Sequence, residues 1–187
     1  MRYFITLVAA ALVATASGQN LLTNGDFEQE LTVGWTQEKQ GIGLQDFTRD
    51  TGYDPDPDYE ARVYQYSGPG IMKLGQLVSL PDTGYELSFR AMFRIDDGSS
   101  SCWPVGSVGV EYCDAGGNVL GKSLFYYHDQ YCTWTNSPTE HYIEVTDPEW
   151  REYRLSLGEE LGTHLTGVNP ADVSKVRVLI FNYTSSG

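Results

Sequence analysis

The segment Tyr85–Ile95 constrains the fold more than any other. Tyr85, Leu87, Phe89, Ala91, Phe93 and Ile95 share one parity, and Glu86, Ser88, Arg90, Met92 and Arg94 share the other. Successive side chains of a strand point to opposite faces, so alternation sustained over such a run predicts a strand with one buried and one wet face. A helix would gather residues three and four apart instead, which this pattern does not offer. Pro81-Asp82-Thr83-Gly84 before the run and Asp96-Asp97-Gly98 after it are turn formers.

Strand signals recur along the chain. Asn20–Phe27 reads as a short opening strand broken by Asn24-Gly25. Ala61–Tyr66 alternates, with Arg62, Tyr64 and Tyr66 on one side. Ile71–Leu80, Val105–Cys113, Val119–Tyr127, Tyr142–Val145, Trp150–Leu157 and Val173–Tyr183 are further predicted strands. Their inward residues include Val108, Val110, Tyr112, Tyr153, Leu155, Leu157, Val176, Val178 and Ile180. Asp114–Asn118 is a hairpin connection, His128–Thr139 an irregular aromatic loop, and Gly158–Pro170 a loop with a turn of helix. Eight or nine strands with turn residues between them predict an all-β fold: a two-sheet antiparallel β-sandwich of the jelly-roll kind. No strand–helix alternation suggests a parallel α/β sheet.

The N-terminus has the layout of an export signal. Met1-Arg2 precedes an apolar run from Tyr3 to Val13, and Ala14-Thr15-Ala16 supplies the small-x-small pattern of a cleavage site. Residues 1–18 are therefore expected to be a secretory signal peptide and 19–187 one domain of a secreted or cell-surface protein. The apolar run is shorter than the ~20 residues of a spanning helix, and no second such run follows, so no membrane span is expected. The chain carries 25 acidic against 12 basic residues. That balance argues against nucleic acid and anionic membranes, which need a basic surface, and suits neutral ligands or calcium.

An exported chain is expected to form disulfides. Of three cysteines, Cys102 and Cys132 lie in polar, turn-rich segments beside tryptophans, whereas Cys113 ends an alternating run. The expected bridge is Cys102–Cys132, with Cys113 buried and left over.

Several motifs occur in a familiar order. Asn20-Leu-Leu-Thr-Asn-Gly-Asp-Phe-Glu28 is followed by Gly34-Trp35, Gly75-Gln-Leu-Val78, Tyr85-Glu-Leu-Ser-Phe-Arg-Ala91, Val110-Glu-Tyr-Cys-Asp-Ala-Gly-Gly117 and Glu149-Trp-Arg-Glu-Tyr153. This series resembles carbohydrate-binding modules with the galactose-binding-like jelly-roll fold, over nearly the whole of 19–187. The resemblance implies non-catalytic binding of a poly- or oligosaccharide. It also implies a structural calcium near the opening strand, where Asp26 and Glu28 are the matching carboxylates. Such modules usually finish with a strand carrying Asp-Asn. This sequence ends before one, so the sandwich is expected to lack its last strand and further domains of a longer chain are expected partners.

Sugar rings have apolar C–H faces that flat aromatic side chains cover, while polar groups fix the hydroxyls. Trp103, Tyr126, Tyr127, Tyr131 and Trp134 crowd two neighbouring segments. The expected sugar contacts are Tyr64, Tyr66, Arg90, Arg94, Trp103, Tyr127 and Trp134. The alternative is a structural or adhesive sandwich without a sugar site. Catalysis is not expected. Glycoside hydrolysis needs two carboxylates facing across a cleft, no E-x-D-x-x-E strand occurs, and Glu159-Glu160 are chain neighbours. No G-x-S-x-G is present, and His128, His141 and His164 are scattered and read as surface residues. Asp54, Asp56, Asp58 and Glu60 lack the glycine and terminal glutamate of an EF-hand and read as a solvated loop. Asn182-Tyr183-Thr184 matches a glycosylation sequon.

Overall fold

The computed structural model describes residues 2–14, 20–52, 58–66, 68–96, 104–128 and 133–185, giving the backbone alone for 2–14. Its strands are β1 (Arg2–Ala14), β2 (Thr36–Gly41), β3 (Leu44–Asp50), β4 (Glu60–Tyr66), β5 (Gly70–Ser79), β6 (Tyr85–Asp96), β7 (Val105–Cys113), β8 (Val119–His128), β9 (Glu140–Glu144), β10 (Arg151–Ser156) and β11 (Lys175–Thr184). They form a five-stranded sheet, β10-β6-β1-β4-β3, and a six-stranded sheet, β2-β5-β11-β7-β8-β9. One hydrophobic core joins them. Leu87, Ala91 and Phe93 reach it from β6, Val63 from β4, Val108 and Val110 from β7, and Val176, Val178 and Ile180 from β11. The fold is an all-β sandwich, and the alternating runs are its strands.

Four features differ from expectation. The six-stranded sheet is mixed, because β9 runs parallel to β8. Parallel neighbours need a crossover connection, and the segment between His128 and Glu140 supplies it. Second, β2 and β3 are polar edge strands, one on each sheet, that no apolar alternation announces; every residue of β2 is exposed.

Third, Asn20–Phe27 is a chain of turns rather than a strand. Asn24 (φ 51°) and Phe27 (φ 56°) are in the left-handed region, which breaks an extended run. The Asn24 amide donates to the Gln29, Glu30 and Val33 carbonyls and accepts from the Gln29 N–H. Trp35 Nε1 donates to the Asn24 carbonyl. Gln76 on β5 replaces a strand partner: its side chain accepts from the Thr23 N–H at 2.7 Å and donates to the Thr23 carbonyl at 2.8 Å. A Cβ on Gly34 (φ 83°) would meet Thr23 and Gln76 at about 3 Å.

Fourth, the segment with the layout of an export signal is built into the sandwich. Arg2–Ala14 lies between β4 and β6 and pairs antiparallel with both, with a bulge between Leu7 and Ala9.

The sequon is closed to modification. Asn182 is 1% exposed, and its Nδ2, the nitrogen a glycan would take, donates to the Val63 carbonyl at 2.8 Å. Cys113 is buried and free, with burial pushing its thiol pKa up. Cys102 and Cys132, and so their expected bridge, lie outside the described residues. No described helix is long and apolar enough to cross a membrane.

Candidate functional site

Directly paired residues of neighbouring strands share a face. On β11, Val176, Val178 and Ile180 enter the core, so Arg177, Leu179, Phe181 and Tyr183 face the other way. They pair with Lys73, Gly75 and Leu77 on β5 and with Ser107, Gly109 and Glu111 on β7. Those β7 residues pair in turn with Tyr126, Leu124 and Lys122 on β8, and Leu124 pairs with Tyr142 on β9. The register alone therefore assembles a trough on the outer face of the six-stranded sheet. It is a cavity of about 710 Å³ lined by Lys73, Glu111, Lys122, Leu124, Trp134, Tyr142, Leu179, Phe181 and Tyr183, among others. A Cβ at Gly109 would meet the Ser123 carbonyl and Leu124 at under 3 Å, so glycine lets β7 and β8 close up beneath it.

Trp134 forms one wall. It stacks on Tyr126 (ring centroids 5.3 Å apart, planes 14° apart), leans on Tyr142 and approaches Phe181 at 6.2 Å. Val105, Tyr126, Trp134 and Tyr142 make a small apolar cluster outside the main core. The loop carrying Trp134 is clipped to β9: the Tyr142 N–H donates to Asn136 Oδ1 at 2.7 Å, and Ser137 and Glu140 exchange backbone hydrogen bonds.

The charged groups of the trough are paired. Lys122 Nζ lies 3.0 Å from Glu140 and 5.3 Å from the Tyr142 ring centroid. Burial works against the Lys122 charge, but bonds to Tyr142 and Glu140 outweigh it and leave the amine pKa raised. Burial likewise works against the Glu140 charge, and Lys122 outweighs it, leaving that carboxyl below its ordinary range. Burial pushes the Tyr142 phenol up. Glu111 pairs with Arg177 and lies 3.9 Å from Lys73.

Of the residues expected to touch sugar, Trp134 stands in this trough. Tyr64 on β4 and Arg90 and Arg94 on β6 belong to the five-stranded sheet, as does exposed Tyr66. Arg90 lies over Trp150, and Arg62 over Tyr64. Tyr127 packs inward, 6.5 Å from Phe93. Trp103 lies outside the described residues. The trough's other aromatics, Phe181, Tyr183 and Tyr142, were not singled out. Phe181 and Tyr183 carry the second parity of the β11 run, and Tyr142 belongs to the short β9 run.

Asp26 and Glu28 are exposed and sit in turns, so strand alternation does not align them. Asp26 Oδ1 accepts from the Glu28 N–H at 3.4 Å. Arg49 donates to the Phe27 and Glu28 carbonyls at 2.6 and 2.7 Å, so a calcium ion using those oxygens would compete with a guanidinium. In the other acidic series, Asp54 and Asp56 lie outside the described residues, while Glu60 is buried on β4.

Two histidines read as scattered meet in space. His141 on β9 stacks on His164, with centroids 4.0 Å apart and planes 5° apart. Both belong to a cluster with Glu160.

No family model matches the chain, and no curated protein does. Among solved structures, the chain is similar to the enzymatically active domain of bacteriophage CBA120 tailspike protein 4, at 14% identity and a TM-score of 0.37. That match covers 90% of this chain and spans 20% of the tailspike chain.

Proposed function

We propose that the protein is an exported, non-catalytic carbohydrate-binding domain and that the trough on the six-stranded sheet is its sugar site. The observation that supports this most is the trough itself. Its size falls in the range of small-ligand sites, an indole and two phenol rings line it with Phe181, and charged groups stand at its edge. Aromatic faces suit the C–H faces of a pyranose, while Lys73, Lys122 and Glu111 on the lining can bond its hydroxyls, with Glu140 and Arg177 as the partners that hold Lys122 and Glu111 in place.

The carboxylates suit binding better than hydrolysis. A general acid needs its pKa raised, whereas Glu140 is held low by Lys122, and Glu111 is paired with Arg177. The reading does not require calcium, since Arg49 takes the carbonyls beside Asp26 and Glu28.

A panel of neutral oligosaccharides (glucan, xylan, mannan and galactan fragments) tests it, titrated with and without EDTA. At least one is expected to bind, equally in EDTA, and Trp134→Ala is expected to weaken it about tenfold or more, each tenfold being about 1.4 kcal/mol. Binding to none of them would leave the adhesive or structural reading in its place.

A further inference from the structure

The connection from β10 to β11 holds a cluster on the side of β8 and β9 away from the trough. Ser156 caps a short helical turn, Leu157–Glu159, which widens into a π-helical turn, Glu160–His164. Leu157, Leu161 and Leu165 drop into the core (0%, 4% and 0% exposed) and fix the rotation of this segment. Glu160 is then carried under the sheet, 6% exposed. Its Oε2 accepts from Ser123 Oγ and meets His141 Nδ1, both at 2.6 Å. A serine hydroxyl and an imidazole hold this buried side chain. His164, four residues on, is exposed and lies flat on His141.

We propose that His141, Glu160 and His164 are a binding site for a divalent transition metal of the zinc type. Two imidazoles and one carboxylate select a borderline ion such as Zn²⁺ over Ca²⁺, which takes oxygen ligands in larger number. The three donor atoms lie within 4.8 Å of one another. Around a tetrahedral zinc, donors sit roughly 3.3 Å apart, given metal–ligand distances near 2.0–2.1 Å. Reaching that arrangement takes two local changes. The proton shared by His141 and Glu160 leaves as the metal enters between them. The His164 ring turns from its parallel stack so that its lone pair converges, which its exposure allows. Water completes the fourth position. Ser123 keeps its bond to the Glu160 carboxylate and orients it, the role that outer partners play at metal sites.

The ion would clamp β9 to the π turn. β9 is an edge strand paired only with β8 among the described strands, and Tyr142, next to His141, lines the trough. The clamp stands apart from the sugar reading and is tested without any sugar.

The test is calorimetric titration of the chelator-stripped full chain with Zn²⁺, and separately with Ca²⁺, for wild type, His164→Ala, Ser123→Ala and His128→Ala. His164 is exposed, so its removal leaves the fold intact. His128 pairs with Glu144 and stacks on Tyr126, away from the cluster, and is the control. The expected result is one Zn²⁺ per chain, weakened about 100-fold in His164→Ala and about tenfold or more in Ser123→Ala. His128→Ala should match wild type, Ca²⁺ should not bind there, and Zn²⁺ should slow amide exchange across Glu140–Glu144. Absence of Zn²⁺ binding, survival of binding in His164→Ala, its loss in His128→Ala, or equal binding of Ca²⁺ would each overturn the assignment.

Discussion

Trp134 rests against Tyr142 with ring centroids 4.8 Å apart and planes tilted by 54°. One comes from the crossover loop and the other from the edge strand that the loop delivers, so the wall of the trough and the parallel pairing of β8 with β9 form together. Removing Tyr142 should therefore loosen Trp134 without unfolding the sandwich. Tyr142→Ala is expected to weaken the near-ultraviolet circular dichroism and red-shift the tryptophan emission, with the far-ultraviolet spectrum intact. Unchanged aromatic spectra would show that Tyr126 and Phe181 hold Trp134 without Tyr142.

Lys122 and Glu140 set a pH window for that edge. The Glu140 carboxyl lies below its ordinary 4.5 when folded. Its contribution to stability is complete above that value and lost as pH falls through the lowered folded value. The Lys122 amine lies above its ordinary 10.5. Its contribution is complete below that value and lost as pH rises through the raised one. Because the pair is partly exposed, its coupling should be about 0.5 kcal/mol. A double-mutant cycle of Lys122→Met and Glu140→Gln, measured by urea unfolding, should give that coupling near pH 7 and none near pH 2. A coupling unchanged in acid would contradict the pairing.

Asn24 carries the opening turns. Its amide makes four backbone hydrogen bonds in a left-handed conformation that asparagine tolerates. Asn24→Ala should cost about 2–4 kcal/mol, read as a lowered urea midpoint with an unchanged slope. Asn24→Gly keeps the conformation and loses only the bonds, so it should be the less damaging of the two. The reverse order would mean that the left-handed backbone is not what alanine disturbs, and an unchanged midpoint in Asn24→Gly would mean that the hydrogen bonds are incidental.

Arg2–Ala14 reads as an export signal and stands as the middle strand of a sheet, and the two roles make opposite demands. Removing it leaves β4 and β6 with unpaired backbone edges. A chain beginning at Asn20 is expected to show fast amide exchange in Glu60–Tyr66 and Tyr85–Asp96, while Val105–Cys113 and Lys175–Thr184 stay protected. Equal protection in all four strands would show that the sandwich closes without β1.

What was legible in the sequence follows from what is local. Tyr85–Asp96, Val105–Cys113 and Lys175–Thr184 were readable because a half-buried strand writes its two faces as parity. β2 and β3 were not, since strands with little buried surface write no apolar pattern. Asn20–Phe27 misled because its apolar spacing imitates a strand, while positive φ at Asn24 and Phe27 depends on contacts with Gln29, Val33 and Trp35. The trough was half visible. Trp134 stood out in its aromatic cluster, but Phe181 and Tyr183 join it only because β11 inserts between β5 and β7, a pairing of distant segments. For the same reason the sequence showed Glu160 and His164 four apart and gave no sign that His141 comes to them from β9.

Whether the trough is the sugar site is decided by titration of the oligosaccharide panel by tryptophan fluorescence, comparing wild type with Trp134→Ala and with Tyr64→Ala, whose site is on the other sheet. The expected result is a binding oligosaccharide whose affinity falls about tenfold or more in Trp134→Ala, each tenfold being about 1.4 kcal/mol, and holds in Tyr64→Ala. Calorimetry confirms the loss where the fluorophore itself is removed. Binding that survives Trp134→Ala but is lost in Tyr64→Ala, or no binding at all, would contradict it.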